Sequence, residues 1–179
     1  MSLPELLDIE ITVNGAVRTV AVEPRTMLGD CIREALRYTG THIGCEQGQC
    51  GSCTVLLDGQ SVRSCLVLAC QADGGEVVTV EGLSGPEEDL HPVQEAFRDN
   101  HALQCGFCTP GMLMSCVEAL SEKRGFTEHE ARSVLSGNLC RCTGYQGIVD
   151  AFLEADRNWG RSVPSPVSSR TDTTEGEPS

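Results

Sequence analysis

Eleven cysteines in 179 residues, about 6% of the chain, are more than a core of this size uses as small apolar side chains. Four of them fall as Cys45-x4-Cys50-x2-Cys53, followed after eleven residues by Cys65. In this spacing four thiolates hold one [2Fe–2S] cluster. Gly44, Gly48 and Gly51 interleave the ligands, as suits a loop that must take positive φ and aim backbone N–H groups at sulfur. Four thiolates also suit tetrahedral zinc, although zinc ligands usually come as two short-spaced pairs rather than a triplet plus one.

A second set is Cys105-x2-Cys108 with Cys140-x-Cys142, 31 residues further on. Spacing alone leaves zinc and iron–sulfur both open here. Each pair, however, stands just before an expected helix, one starting at Thr109-Pro110 and one after Thr143-Gly144. The partial positive charge and free N–H groups of two helix N-termini would stabilise an anionic cluster. Cys31, Cys70 and Cys116 read as buried thiols, the first and last on apolar helical stripes and Cys70 at the end of an apolar run. His42, His91, His101 and His129 show no metal spacing; even His42, close to Cys45, is unnecessary beside four cysteines, so solvated or capping roles are expected.

The elements that must position these thiols follow from periodicity. Leu7–Val13 and Val17–Val22 flank Asn14-Gly15, a β-hairpin with a type I′ turn. Met27, Leu28, Cys31, Ile32, Ala35 and Leu36 form a helical stripe from Thr26, with Gly40 as its stop. Cys53–Leu57 and Ser61–Val67 flank Asp58-Gly59 as a second hairpin, and Glu76–Val80 is another β-rich run. Gly, Pro and acidic residues at Ser84–Asp89 read as a linker, beyond which the period is helical. One helix opens at His91-Pro92 with Val93, Ala96 and Phe97 inward, and the next at Thr109-Pro110 with Met112, Leu113, Cys116, Val117 and Leu120 inward. Thr127 with Glu130 is a capping box for the third, and the fourth covers Gln146–Arg157. Pro164–Ser179, rich in Ser, Thr, Pro and Glu, is expected to be a disordered tail.

Composition removes several classes of function. The net charge of −13 would repel a phosphate backbone, and no basic patch offsets it, so nucleic acid is not an expected partner. Apolar residues at 40% permit a core, but aromatics at 4% mean that it is built from Leu, Val, Ile and Ala. Met1–Glu10 has no secretory pattern, and the longest apolar run, Leu66–Cys70, is far short of the roughly 18 residues of a membrane span. A cytoplasmic protein is expected, where thiols serve metal rather than disulfides.

Three long motifs then carry a resemblance. Gly44-Cys45-Glu46-Gln47-Gly48-Gln49-Cys50-Gly51-Ser52-Cys53, Gln104-Cys105-Gly106-Phe107-Cys108-Thr109-Pro110-Gly111 and Gly137-Asn138-Leu139-Cys140-Arg141-Cys142-Thr143-Gly144-Tyr145 resemble the iron–sulfur subunit of molybdenum hydroxylases, the xanthine oxidase family. The resemblance covers roughly Leu7 to Asn158. It implies an α+β chain, with a β-grasp, plant-type ferredoxin-like domain over 1–83 and a four-helix domain over 84–160; the tail over 161–179, read from composition, has no counterpart in the family core. Each domain would carry one [2Fe–2S] cluster, on Cys45, Cys50, Cys53 and Cys65 and on Cys105, Cys108, Cys140 and Cys142. The implied function is electron relay from a large molybdenum-pterin subunit to a medium FAD subunit, in a dimer of heterotrimers that hydroxylates an aldehyde or heteroaromatic carbon. Gln104 and Cys142 would lie against the pterin, and the Glu46–Gln49 loop would face the flavin. That loop differs from the Asp-Thr-Ser type of carbon monoxide dehydrogenases, which disfavours that substrate. The competing readings are a zinc-stabilised interaction module, which would be colourless, and a stand-alone ferredoxin, which leaves the second thiol set without a purpose.

Overall fold

The computed structural model describes residues 5–84 and 90–159. The expected tail and all but Ser84 of the expected linker lie outside them. Strands β1 (Leu7–Val13) and β2 (Ala16–Val22) pair antiparallel through Asn14 (φ 51°) and Gly15 (φ 77°), the left-handed pair that a type I′ turn requires. A second hairpin joins β3 (Thr54–Leu57) to β4 (Gln60–Arg63) through Asp58 and Gly59, again both at positive φ. With β5 (Glu76–Val78) they form one sheet in the order β2-β1-β5-β3-β4, parallel only between β1 and β5.

Alternation along these strands decides what covers the sheet. In β1 only Ile9, Ile11 and Val13 are buried, so its other face meets solvent. In β3 and β5 both faces are buried: Val55 and Val77 join Ile11, Leu28 and Ile32 on one side, while Leu56 and Val78 join the helical core on the other. The central sheet is therefore sandwiched between two helical layers, and the two halves of the chain share packing.

The stripe that begins at Met27 departs from the expected regular helix. Only α1 (Leu28–Asp30) is α-helical; Cys31–Ala35 continues as a π-helix, with the Leu36 N–H donating to Cys31 O at 3.0 Å. It ends at Ala35, before Arg37 turns left-handed (φ 66°), not at Gly40. The wide turn keeps Cys31 and Ile32 in the core. β4 also ends at Arg63 rather than Val67: the Leu66 N–H turns back to Arg63 O, and the Ser64 and Val67 carbonyls accept from the Gly29 and Leu28 N–H groups instead of from a strand. Beyond β5, Val80–Gly82 is a 3-10 turn rather than strand.

The helical half contains α2 (Pro92–Asp99), α3 (Thr109–Glu122), α4 (Glu128–Leu135) and α5 (Gln146–Asn158). The Thr127–Glu130 capping box forms. His91 caps α2: its Nδ1 accepts from the Val93 N–H while Gln94 Oε1 accepts from the His91 N–H. Only 3% exposed and edge-on to Trp159, this ring is held neutral, its pKa pushed down to about 4 by desolvation. α3 carries Met112, Met114, Cys116, Val117 and Leu120 into the core. Glu118 on the same helix accepts from the Ser61 N–H at 2.6 Å, fastening α3 to β4. No helix among the described residues is long and apolar enough to cross a membrane.

Candidate iron–sulfur sites

All eleven cysteines are free thiols. The first set is assembled by short-range contacts. Arg33 donates to the carbonyls of Thr39 and Thr41, fixing the chain as it enters the thiol loop. Within the loop Glu46, Gly48 and Gly51 take positive φ, which curls the backbone so that the Cys50 N–H donates to Cys45 Sγ at 3.4 Å. Cys65 is delivered from the other side. The Gly29 N–H donates to Ser64 O, the Leu28 N–H to Val67 O, and the Ser64 hydroxyl to Cys53 O, which sets the Cys65 thiol against that of Cys53. Gly29 permits this approach, since a Cβ there would lie 2.9 Å from Ser64 Oγ.

The second set depends on helix packing. Cys105 and Cys108 lie between α2 and α3, with Cys108 itself the N-cap of α3. Cys140 and Cys142 precede α5, in a loop closed on itself: the Cys140 N–H donates to Tyr145 Oη, Cys140 Sγ meets Thr143 Oγ1, and Tyr145 is left-handed (φ 71°). Gly147 lets α5 approach the end of α2, since a Cβ there would lie 2.8 Å from Asn100 O. Cys105 and Cys142 then meet, sulfur to sulfur, at 3.5 Å, and Cys108 pairs with Cys140.

The eight thiols thus come as four pairs: Cys45 with Cys50, Cys53 with Cys65, Cys105 with Cys142, and Cys108 with Cys140. Two thiolates on one tetrahedral metal at about 2.3 Å stand about 3.8 Å apart, so a pair in contact suits one metal. Among the described residues, no three His, Cys, Asp or Glu side chains converge as a single ion would require. Two pairs per set fit a dinuclear iron–sulfur cluster, one pair for each iron.

Proton affinity differs between thiols of one set. The backbone N–H groups of Cys50 and Gln47 lower Cys45 to about 7, whereas burial, then the bond to Cys53, raises Cys65 to about 11. The Phe107 N–H lowers Cys105, while Cys142, donating to it, is raised. Burial pushes Cys108 up to about 12; at Cys140 burial is outweighed by the hydrogen bonds of Thr143, Cys142 and Cys108 together, so that thiol is lowered. Metal binding would displace the retained protons.

The two sets are neighbours. A cleft of about 240 Å³ is lined by Cys50 of the first and by Cys105, Cys108 and Cys142 of the second, with Phe107 and Leu139 between them. Phe107 also stacks on His42 at 4.9 Å, and its carbonyl lies 2.9 Å from His42 Nδ1. Gln104, Cys105, Leu139 and Cys142 are exposed, as are Glu46, Gln47 and Gln49 at the other loop. Of the three thiols expected in the core, Cys31 and Cys116 are buried, but Cys70 is only half-buried. In the 3-10 turn Ala69–Ala72 it is Ala69 and Ala72 that face inward, and the Cys70 thiol meets Pro24 O at 3.7 Å.

Residues 11–73 match the 2Fe-2S iron-sulfur cluster binding domain, and residues 79–153 match the [2Fe-2S] binding domain. The nicotine 6-hydroxylase small subunit of Paenarthrobacter nicotinovorans is 54% identical over 149 residues, 83% of this chain and 89% of that protein. The chain belongs to the small iron–sulfur subunits of the molybdenum hydroxylases. A second relative of this small subunit, caffeine dehydrogenase subunit gamma of Pseudomonas sp. (strain CBB1), is 50% identical over 80% of this chain and 87% of its own length. Among solved structures, quinoline 2-oxidoreductase from Pseudomonas putida 86 matches with a TM-score of 0.83 and 52% identity, over 86% of this chain and 95% of that one.

Sequence reasoning did not anticipate how the small subunit holds its two thiol loops together. The Leu139 N–H donates to Cys50 O at 2.8 Å, Asn138 Nδ2 donates to Gly51 O at 3.0 Å, and Arg63 donates to Gly137 O at 2.7 Å. Asn138 lay within a motif already singled out, and an amide two residues before a ligand was the available signal. Arg63 had none.

Proposed function

We propose that the small subunit carries two [2Fe–2S] clusters, one on Cys45, Cys50, Cys53 and Cys65 in a ferredoxin-like domain over 1–83, the other on Cys105, Cys108, Cys140 and Cys142 in a four-helix domain over 84–160. When bound, the clusters would supply one-electron carriers linking a large molybdenum-pterin subunit to a medium FAD subunit, in a cytoplasmic dimer of heterotrimers. The observation that carries this reading is that ligands of both sets line one cleft while Gln104, Cys105 and Cys142 remain exposed. A conduit needs its two carriers adjacent and each accessible from a different side. Gln104 and Cys142 would contact the pterin, and the exposed Glu46–Gln49 loop would face the flavin. The nitrogen heterocycles in the names of the nicotine, caffeine and quinoline enzymes support a heteroaromatic substrate for the complex.

Gln104→Ala tests the order of flow, because it leaves all eight thiols in place. In the assembled complex this variant should keep its iron, slow substrate reduction of the clusters in rapid-mixing spectroscopy, and leave exchange with the flavin nearly unchanged. A defect confined to the flavin side would overturn the order.

A further inference from the structure

The two thiol loops are joined by a seam whose parts have one buried residue in common. Asn138 is 1% exposed. Its Nδ2 donates to Gly51 O, on the residue between Cys50 and Cys53's neighbour Ser52, and its Oδ1 accepts from Ser115 Oγ on α3 at 2.9 Å. The next residue, Leu139, donates its N–H to Cys50 O. Cys50 and Cys140 are thereby separated by one hydrogen bond and one intervening residue, the most direct bonded connection between the two sets.

The surroundings are shaped for this contact. Gly51 is left-handed (φ 75°), and a Cβ there would come within 2.6 Å of Asn138 Nδ2. A Cβ on Gly111 of α3 would collide with the Gly51 carbonyl oxygen itself. Arg63 closes the seam from β4, donating to Gly137 O and to Thr54 Oγ1, which in turn donates to Gly51 O. A buried amide with donor and acceptor both satisfied fixes one register, since a shift of either loop would leave it unpaired.

We propose that Asn138 is a positioning residue that locks the two thiol loops at one separation, and so sets the electronic interaction between the carriers they hold. This rests on the reading that both sets bind clusters. The side chain touches neither set of sulfurs; it acts through the Gly51 carbonyl and through the direction in which it launches Leu139 and Cys140.

The test is Asn138→Ala in the whole complex. Truncation orphans no partner: Gly51 O keeps the Thr54 hydroxyl at 2.6 Å, and the one Ser115 hydroxyl proton, shared between Asn138 Oδ1 and Gly111 O, turns wholly to Gly111 O at 3.1 Å. Iron and acid-labile sulfide are measured first, and the dipolar interaction between the two reduced clusters is then read by pulsed electron paramagnetic resonance, as relaxation enhancement of one signal by the other. The expected result is full iron content, two individual signals at unaltered field positions, and a weakened or broadened interaction. Undiminished interaction with full iron would overturn the proposal, while absence of one signal from the unmodified complex would overturn the two-cluster reading instead. If Asn138→Ala loses iron, Ser115→Ala decides, because it frees only the amide oxygen: a weaker interaction supports the proposal and an unchanged one refutes it.

Discussion

The sheet half builds its thiol set from one loop and one adjoining turn, whereas the helical half builds its set from two loops that meet only after α2, α3 and α5 have packed. In the first, Cys65 reaches Cys53 through the Ser64 hydroxyl and two backbone bonds from α1. In the second, Cys108 and Cys140 are distant in sequence and their approach requires closure of the intervening chain, at an entropic cost that grows with its length. Local geometry therefore suffices to prepare one site, and the hydrophobic core of the helices prepares the other. It follows that metal binding and helical packing should support each other much more strongly in the second half.

The largest expected effect breaks that asymmetry directly. Cys108→Ala should lower iron to about two per chain and loosen the helical half, whereas Cys65→Ala should lose the same amount of iron and leave helical circular dichroism nearly intact. Equal loss of helix in the two variants would remove the distinction. Gly111→Ala acts on the boundary itself, forcing a methyl group against Gly51 O and costing about 3 kcal/mol by overpacking, read as a lowered denaturant midpoint.

Acid should separate the halves by a smaller amount. His91 is the buried histidine among the described residues, and it belongs to the helical half. Its folded pKa of about 4 lies below the ordinary 6.5, so the neutral ring's contribution is fully present above about 6.5 and is lost as pH falls toward 4. Unfolding monitored by helical circular dichroism should show about 2–3 kcal/mol lost across that window. His91→Asn, which preserves an N-cap acceptor, should flatten the dependence. The smallest effect is that of Cys116→Ala: its thiol is fully buried and its pKa is raised by desolvation, but it belongs to no pair. Truncation should cost about 1 kcal/mol and leave both signals unchanged.

The difference between the halves also explains what could be read from the sequence. Asn14-Gly15 and Asp58-Gly59 announced hairpins because only a few residue types accept consecutive left-handed conformations. Thr127 with Glu130 announced α4 because a capping box is a local exchange of hydrogen bonds. The triplet Cys45, Cys50 and Cys53 was legible for the same reason, since its loop is nearly self-contained. The π-helical stretch Cys31–Ala35 was not, because an apolar stripe looks alike at either helical width over so few residues. Nor was the burial of Leu56 and Val78 against α3, which depends on which face of the sheet the second half covers. Cys70, packed against the core but only half-buried, is covered less than expected because an apolar run carries no information on which of its residues a 3-10 turn points fully inward. The seam of Arg63, Asn138 and Gly51 joins residues far apart in the chain, and no local period encodes it.

The most direct test is a metal and sulfide count on the purified small subunit within its complex, together with electron paramagnetic resonance after reduction. Two clusters on eight thiols require about four iron and four acid-labile sulfide per chain, with two distinguishable paramagnetic signals. Stoichiometric zinc in a colourless protein, or a single cluster that persists in Cys108→Ala, would contradict it.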